Sequence, residues 1–173
     1  MLKGSQLPSI LFVCTANQFR SPIAAACLLK NIENENTGRK WIIESAGTWA
    51  RAGLPAPAIA LQVADQLGLD GLDRHLTRQI DQKLLTEFDL IIVMEIGHKE
   101  AICSEFPSVG GRVYLLPEIV DGISYDIPDP SDPGIDPGEI GRELDMLIAK
   151  GKDKILQLAE RLRRYSSPER EDA

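Results

Sequence analysis

The chain is short of the features that would place it in several large classes of protein. It has no excess of positive charge: 19 lysines and arginines face 26 aspartates and glutamates, a formal net charge of −7 over 173 residues. A general nucleic-acid binder needs the opposite sign, so no nucleic-acid partner is expected. No apolar run reaches membrane-spanning length, and the opening residues MLKGSQLPS lack the apolar core of a secretory signal. No membrane partner is expected, and a cytoplasmic location is. Cysteine is scarce and odd in number, three in all without a framework spacing, which suits a reducing compartment better than a disulfide scaffold. HExxH and paired cysteine and histidine spacings are missing, so neither metal nor cofactor is expected. Internal repeats are missing too. Residues 1–173 are expected to form one domain, with 1–7 and 166–173 as flexible tails.

What is present concentrates between Ile10 and Leu29, ILFVCTANQFRSPIAAACLL. Ile10 to Val13 is an apolar run of buried-strand type and leads straight into Cys14. A short loop follows, Thr15, Ala16, Asn17, Gln18 and Phe19, closed by Arg20. Ser21-Pro22 then predicts an N-cap residue with proline at the first helical position, ahead of an alanine- and leucine-rich helix. Loop N–H groups and the unpaired N–H groups of a helix start converge on a small volume that favours an anion. The Arg20 guanidinium can clamp two oxygens of a tetrahedral oxyanion. Helix N-termini and cations favour thiolate over thiol, and a thiolate beneath a bound phosphate is a nucleophile aimed at phosphorus. The plainer alternative is a strand-end cysteine packed as a small hydrophobe.

The rest of the chain alternates strand and helix. Trp41 to Ile43 reads as a second strand running into Glu44-Ser45-Ala46-Gly47-Thr48, and Pro57 to Leu67 as a helix stopped by Gly68. A helix ends at Leu84 to Phe88, Leu90 to Met94 is a continuous apolar strand, Glu95 to Phe106 an amphipathic helix and Val113 to Leu116 a fourth strand. The last helix is expected from about Asp136 or Glu139 to Arg164, with Gly151 as its weak point. This alternation predicts an α/β three-layer sandwich around a small four-stranded parallel sheet of Rossmann-like type. Ligands of such sheets bind at the carboxyl ends of the strands, where Cys14 lies.

CTANQFRSP resembles the Cys-x5-Arg-Ser/Thr loop of the low-molecular-weight protein tyrosine phosphatases, which carry it after the first strand. The resemblance extends over about residues 8–164 and implies that family's fold. It implies Cys14 as nucleophile, Arg20 as holder of the phosphoryl oxygens, and Thr15, Ala16, Asn17, Gln18, Phe19 and Ser21 around the phosphate. The string SAGT followed by Trp49 resembles the family's second loop and implies Trp49 as a wall of the substrate cleft; packing of Trp49 on Pro55 to Pro57 is the alternative. Asn17, Ser21, Ser45 and His75 match a hydrogen-bond network that braces the loop. The implied partners are a phosphorylated protein and phosphate or another oxyanion, met by a monomer or weak homodimer.

Expulsion of an alkoxide or phenoxide needs a proton donor near the leaving oxygen. The proline-stiffened stretch YDIPDPSDPG offers Asp126, Asp129 and Asp132. The resemblance singles out Asp129-Pro130, with Asp132 second; a bound phosphate should raise the pKa of the acid. The chain departs from the family's pattern in three places, and from one relative's hallmark at a fourth position. Phe19 stands where many relatives have a second loop cysteine, so Cys14 has no disulfide partner there. Ala16 replaces a glycine and needs a φ that alanine tolerates. Ser131 and Asp132 follow the Asp-Pro pair in place of aromatics. Gln18 stands where protein arginine phosphatases on the same fold have threonine. Arsenate reductases of the fold need two further cysteines after the third strand, and only Cys103 lies there. A phosphate-binding module without turnover is the rival from another class.

Overall fold

The computed structural model describes residues 7–166. Four strands form one parallel sheet in the order β2-β1-β3-β4, with β1 at Ser9–Cys14, β2 at Ile42–Gly47, β3 at Leu90–Val93 and β4 at Val113–Leu115. β1 pairs on one side with β2, in a register that sets Cys14 beside Gly47, and on the other side with β3, Val13 beside Val93. All of β1 and β3 is buried, which explains runs of Ile, Leu, Phe and Val without polar alternation.

The pleat sorts those runs between two cores. Ile10, Phe12, Cys14, Leu90 and Ile92 face a layer made by α1 (Arg20–Glu33), α2 (Ala58–Gln66), α5 (Leu116–Asp121) and α6 (Pro137–Ser166). Leu11, Val13, Ile91 and Val93 face the other way, against Leu85 of α3 (Gln82–Glu87) and Ile102 of α4 (Ile96–Glu105). The result is the expected three-layer sandwich. The strand order reverses between β1 and β3, so the crevice at their carboxyl ends is the natural ligand position.

Several boundaries differ from the sequence reading for local reasons. Helix α1 begins at Arg20, not at Pro22, and Ser21 is not its N-cap: Phe19 holds that position without a side-chain cap bond. The Ser21 hydroxyl is spent instead on the loop beside it. Ser45 to Gly47 are strand residues, since pairing with β1 continues to Cys14. Pro117 ends the fourth strand early and starts α5, a helix hidden in the sequence by the apolar run that precedes it. Gly151 is no weak point: α6 is continuous across it, and a Cβ there would lie 2.4 Å from Val120 Cγ2. The glycine is what lets α6 approach α5. Of the expected tails, Leu7 and Ser166 alone fall among the described residues, and Ser166 closes α6.

Candidate active site

The loop from Cys14 to Arg20 wraps the crevice between the ends of β1 and β3. Its backbone curls through Asn17, whose φ is 58°. The left-handed position is therefore Asn17, a residue type that accepts it, and Ala16 carries no positive φ. The curl is held from outside by backbone: Thr48 and Trp49 donate to the carbonyls of Cys14 and Thr15 at 2.8 and 2.9 Å. Gly47 is pressed so close that a Cβ would lie 2.4 Å from the Thr15 carbonyl oxygen. Among the described residues, the N–H groups of residues 15–20 have no protein acceptor. They remain donors for an anion.

The four residues expected to brace the loop do meet. Asn17 is fully buried, and its amide donates to Ser21 Oγ and to Ser45 Oγ, both at 2.9 Å. Its Oδ1 accepts from the Arg78 N–H at 3.0 Å, a partner the sequence did not suggest. His75 Nε2 lies 2.7 Å from the Asn17 carbonyl, and since a carbonyl only accepts, that nitrogen carries the proton. Ser21 Oγ is 3.0 Å from Cys14 Sγ and 3.3 Å from the Ala46 carbonyl. With Asn17 donating to it, Ser21 has one proton to give, and a thiolate is the stronger claimant.

The opposite flank is charged. Arg20 is 2% exposed, and its guanidinium donates to the Ile127 carbonyl at 2.9 Å, to Asp129 Oδ2 at 2.9 Å and to Glu95 Oε1. Ile127 is pinned in turn by its N–H to the carbonyl of Met94, 2.9 Å away at the end of β3. Asp129 accepts on its other oxygen from the Ser131 N–H and hydroxyl at 2.9 and 2.7 Å. Burial pushes the Asp129 carboxyl up, but the two Ser131 bonds and the Arg20 charge outweigh it and hold the group below the ordinary aspartate value. The rise expected beside a phosphate therefore starts from a stabilised carboxylate.

A cleft of about 160 Å³ opens over this arrangement, lined by Cys14, Gln18, Phe19, Arg20 and Asp129 among others, with Pro57, Ile59, Pro130, Ser131 and Pro137 at its walls. Asp132 is exposed and outside it, and Asp126 caps α4 through the Ile96 N–H at 2.7 Å. Of the three aspartates only Asp129 joins Cys14 and Arg20. Trp49 is 85% exposed and not among the cleft's lining residues. A wider hollow of about 390 Å³ lies behind the brace, along Ser45, His75 and Arg78, and holds none of Cys14, Arg20 and Asp129.

The geometry has counterparts elsewhere. The family model for low molecular weight phosphotyrosine protein phosphatases matches residues 9–167. The chain belongs to that family. It is 33% identical over 147 residues to the protein-arginine-phosphatase of Geobacillus stearothermophilus, covering 84% of this chain and 95% of that one. It is 38% identical over 124 residues to the low molecular weight protein-tyrosine-phosphatase Wzb of Escherichia coli (strain K12), covering 70% and 77%. Among solved structures, the YwlE arginine phosphatase, as a cysteine-to-serine mutant with a phosphorylated active site serine, superposes with a TM-score of 0.75 at 30% identity. That match covers 91% of this chain and 97% of the other.

Within this family member, two site residues were not legible beforehand. Glu95, the N-cap of α4, and His98, in its first turn, follow β3 and touch the loop at both ends, Glu95 at Arg20 and His98 at Thr15. A signal existed: polar residues directly after a central strand, at the crevice where the strand order reverses, are candidates for a site.

Proposed function

We propose that the chain hydrolyses phosphorylated proteins of the phosphotyrosine class through a phosphocysteine on Cys14. One observation carries this reading: a nucleophile, a buried arginine and a single carboxyl group share one cleft above a loop of free N–H donors. In the first step the Cys14 sulfur attacks phosphorus and the P–O bond to the leaving group breaks. The leaving oxygen takes the proton of Asp129. In the second step Asp129, now a carboxylate, takes a proton from water as the water oxygen attacks phosphorus; the S–P bond breaks and phosphate leaves. Arg20 and the loop N–H groups hold the charge that builds on the equatorial oxygens in both steps. Ser21 donates to sulfur as it leaves.

Arg20 links the two halves of this chemistry. Turning its fork onto a phosphoryl dianion withdraws a cation from Asp129 and sets an anion beside it, and both changes favour the protonated acid. The apolar walls Phe19, Pro57, Ile59, Pro130 and Pro137 suit a flat aryl leaving group. Every group in the cycle comes from one chain, so a monomer suffices. Three unpaired thiols and a phosphoprotein substrate suit a reducing, cytoplasmic setting.

A second reading, hydrolysis of phosphoarginine, is favoured by the protein-arginine-phosphatase match over 84% of this chain. The deciding experiment compares turnover of a phosphotyrosine peptide and a phosphoarginine peptide without added metal, for the native chain and for Cys14→Ser. Faster hydrolysis of the aryl ester, abolished by Cys14→Ser, is the expected result. The reverse order of the two peptides would replace the substrate class and keep the mechanism. Turnover that survives Cys14→Ser would overturn both readings.

A further inference from the structure

His98 is 5% exposed and joined to the anion loop through its ring. Nδ1 lies 3.1 Å from the backbone nitrogen of Glu95, which can only donate, so Nδ1 is the accepting nitrogen. The neutral ring then bears its proton on Nε2, which lies 2.8 Å from Thr15 Oγ1 and donates to it. Burial is the main cause that lowers the His98 pKa below the ordinary histidine value. Thr15 is the residue after the nucleophile, and its side chain is not part of the cleft lining. The bond therefore reaches the loop from behind, as His75 does at Asn17 on the opposite flank.

We propose that His98 is a positioning residue of the phosphatase loop. Its Nε2–H fixes Thr15, and with it the peptide N–H groups just after Cys14. It acts through Thr15 and touches no reacting atom. The proposal rests on the phosphatase reading, and its test separates the two roles of the ring. His98→Asn sets an acceptor near the Nδ1 position and keeps the helix cap, but it withdraws the donor from Thr15. His98→Gln sets a donor near the Nε2 position and gives up the cap.

The expected result is a loss of about tenfold in kcat/KM for an aryl phosphate with His98→Asn, the usual scale of one lost buried hydrogen bond. His98→Gln should stay within about threefold of the native chain even where its Tm is lower. Thr15→Val should reproduce the loss, and Thr15→Val combined with His98→Asn should be no worse than either alone. A purely structural cap predicts the reverse order, Gln impaired and Asn active, and that order would overturn the proposal. So would losses that multiply in the double variant. If the native chain proved inactive, the phosphatase reading would fail by itself. The same variants would then be ranked by the affinity for inorganic phosphate, read as thermal shift: Asn weakened and Gln retained supports the positioning role, and the reverse rejects it.

Discussion

The two flanks of the anion loop are built from different materials. On the β2 side, Asn17, Ser21, Ser45 and His75 form a neutral lattice in which each bond is made among buried or half-buried groups. None of those bonds has to be given up for a phosphate to bind. On the β3 side, Arg20 is held between Glu95 and Asp129, and the same guanidinium is the clamp proposed for the phosphoryl group. Neutral bonds can fix a shape permanently, because an arriving dianion does not compete for them. Charged bonds to the clamp are exchanged when the dianion arrives, so that flank reports occupancy. One side is scaffold and the other is machinery.

The largest effect should follow from blunting the clamp. Arg20→Lys keeps the charge and loses the planar fork, and kcat/KM for an aryl phosphate is expected to fall by about 10³-fold. A loss under tenfold in steady-state kinetics would show that the charge matters and the fork does not. Asp129→Asn comes next, with kcat down by about 10²-fold for a poor leaving group and by much less for a good one, as expected of a general acid. A loss independent of leaving-group pKa would return Asp129 to the role of a mere partner of Arg20.

Asn17→Ala should divide differently between stability and rate. It strands Ser21, Ser45 and the Arg78 N–H and places alanine at a positive φ, so chemical denaturation should register a loss of about 2 kcal/mol or more. Arg20→Lys should cost the fold less than that. If the order of the two stabilities were inverted, the division into scaffold and machinery would be lost.

The smallest effect is a pH slope on the charged flank. The His98 pKa is lowered by burial and by Arg20, against Glu95, Asp126 and Asp129, which face it and pull the other way. A group whose folded pKa is depressed stabilises the fold above its unfolded pKa. That contribution is lost as pH falls from about 6.5 through the folded value. Tm should therefore drop between neutral and mildly acid pH, and His98→Gln should flatten the drop. An unchanged slope in the variant would assign it to another group.

The four bracing residues of the neutral flank were legible, and so were two members of the charged flank, Arg20 and Asp129. The spacing of Cys14, Asn17, Arg20 and Ser21 sits within eight residues on a strand-loop-helix unit, and Ser45 and His75 matched a family pattern. The rest of the charged flank, Glu95 and His98, hides in long-range geometry. Glu95 lies 75 residues from Arg20 along the chain, and it opens a helix whose turn gives no familiar cap signal, since glutamate is not among the preferred N-cap residues. Ala16 has a φ that alanine tolerates, as required, but the left-handed residue of the loop, Asn17, was not singled out, because a turn type cannot be read from composition alone. Ser21 looked like a helix cap for a related reason: the same hydroxyl serves a cap or a sulfur, and only the fold decides.

Helix α6 carries two notches ten residues apart. At Gly141 a Cβ would lie 2.3 Å from Val63 Cγ1, and at Gly151 the corresponding obstacle is Val120. A rod keyed at two points can neither rotate nor slide without riding over a valine, so the helix acts as a ruler laid across the molecule. Its first residue, Pro137, lines the cleft. The far anchor of the acid loop is thereby set by packing about 20 Å away, and a single methyl group added at residue 151 would speak to the chemistry without touching it.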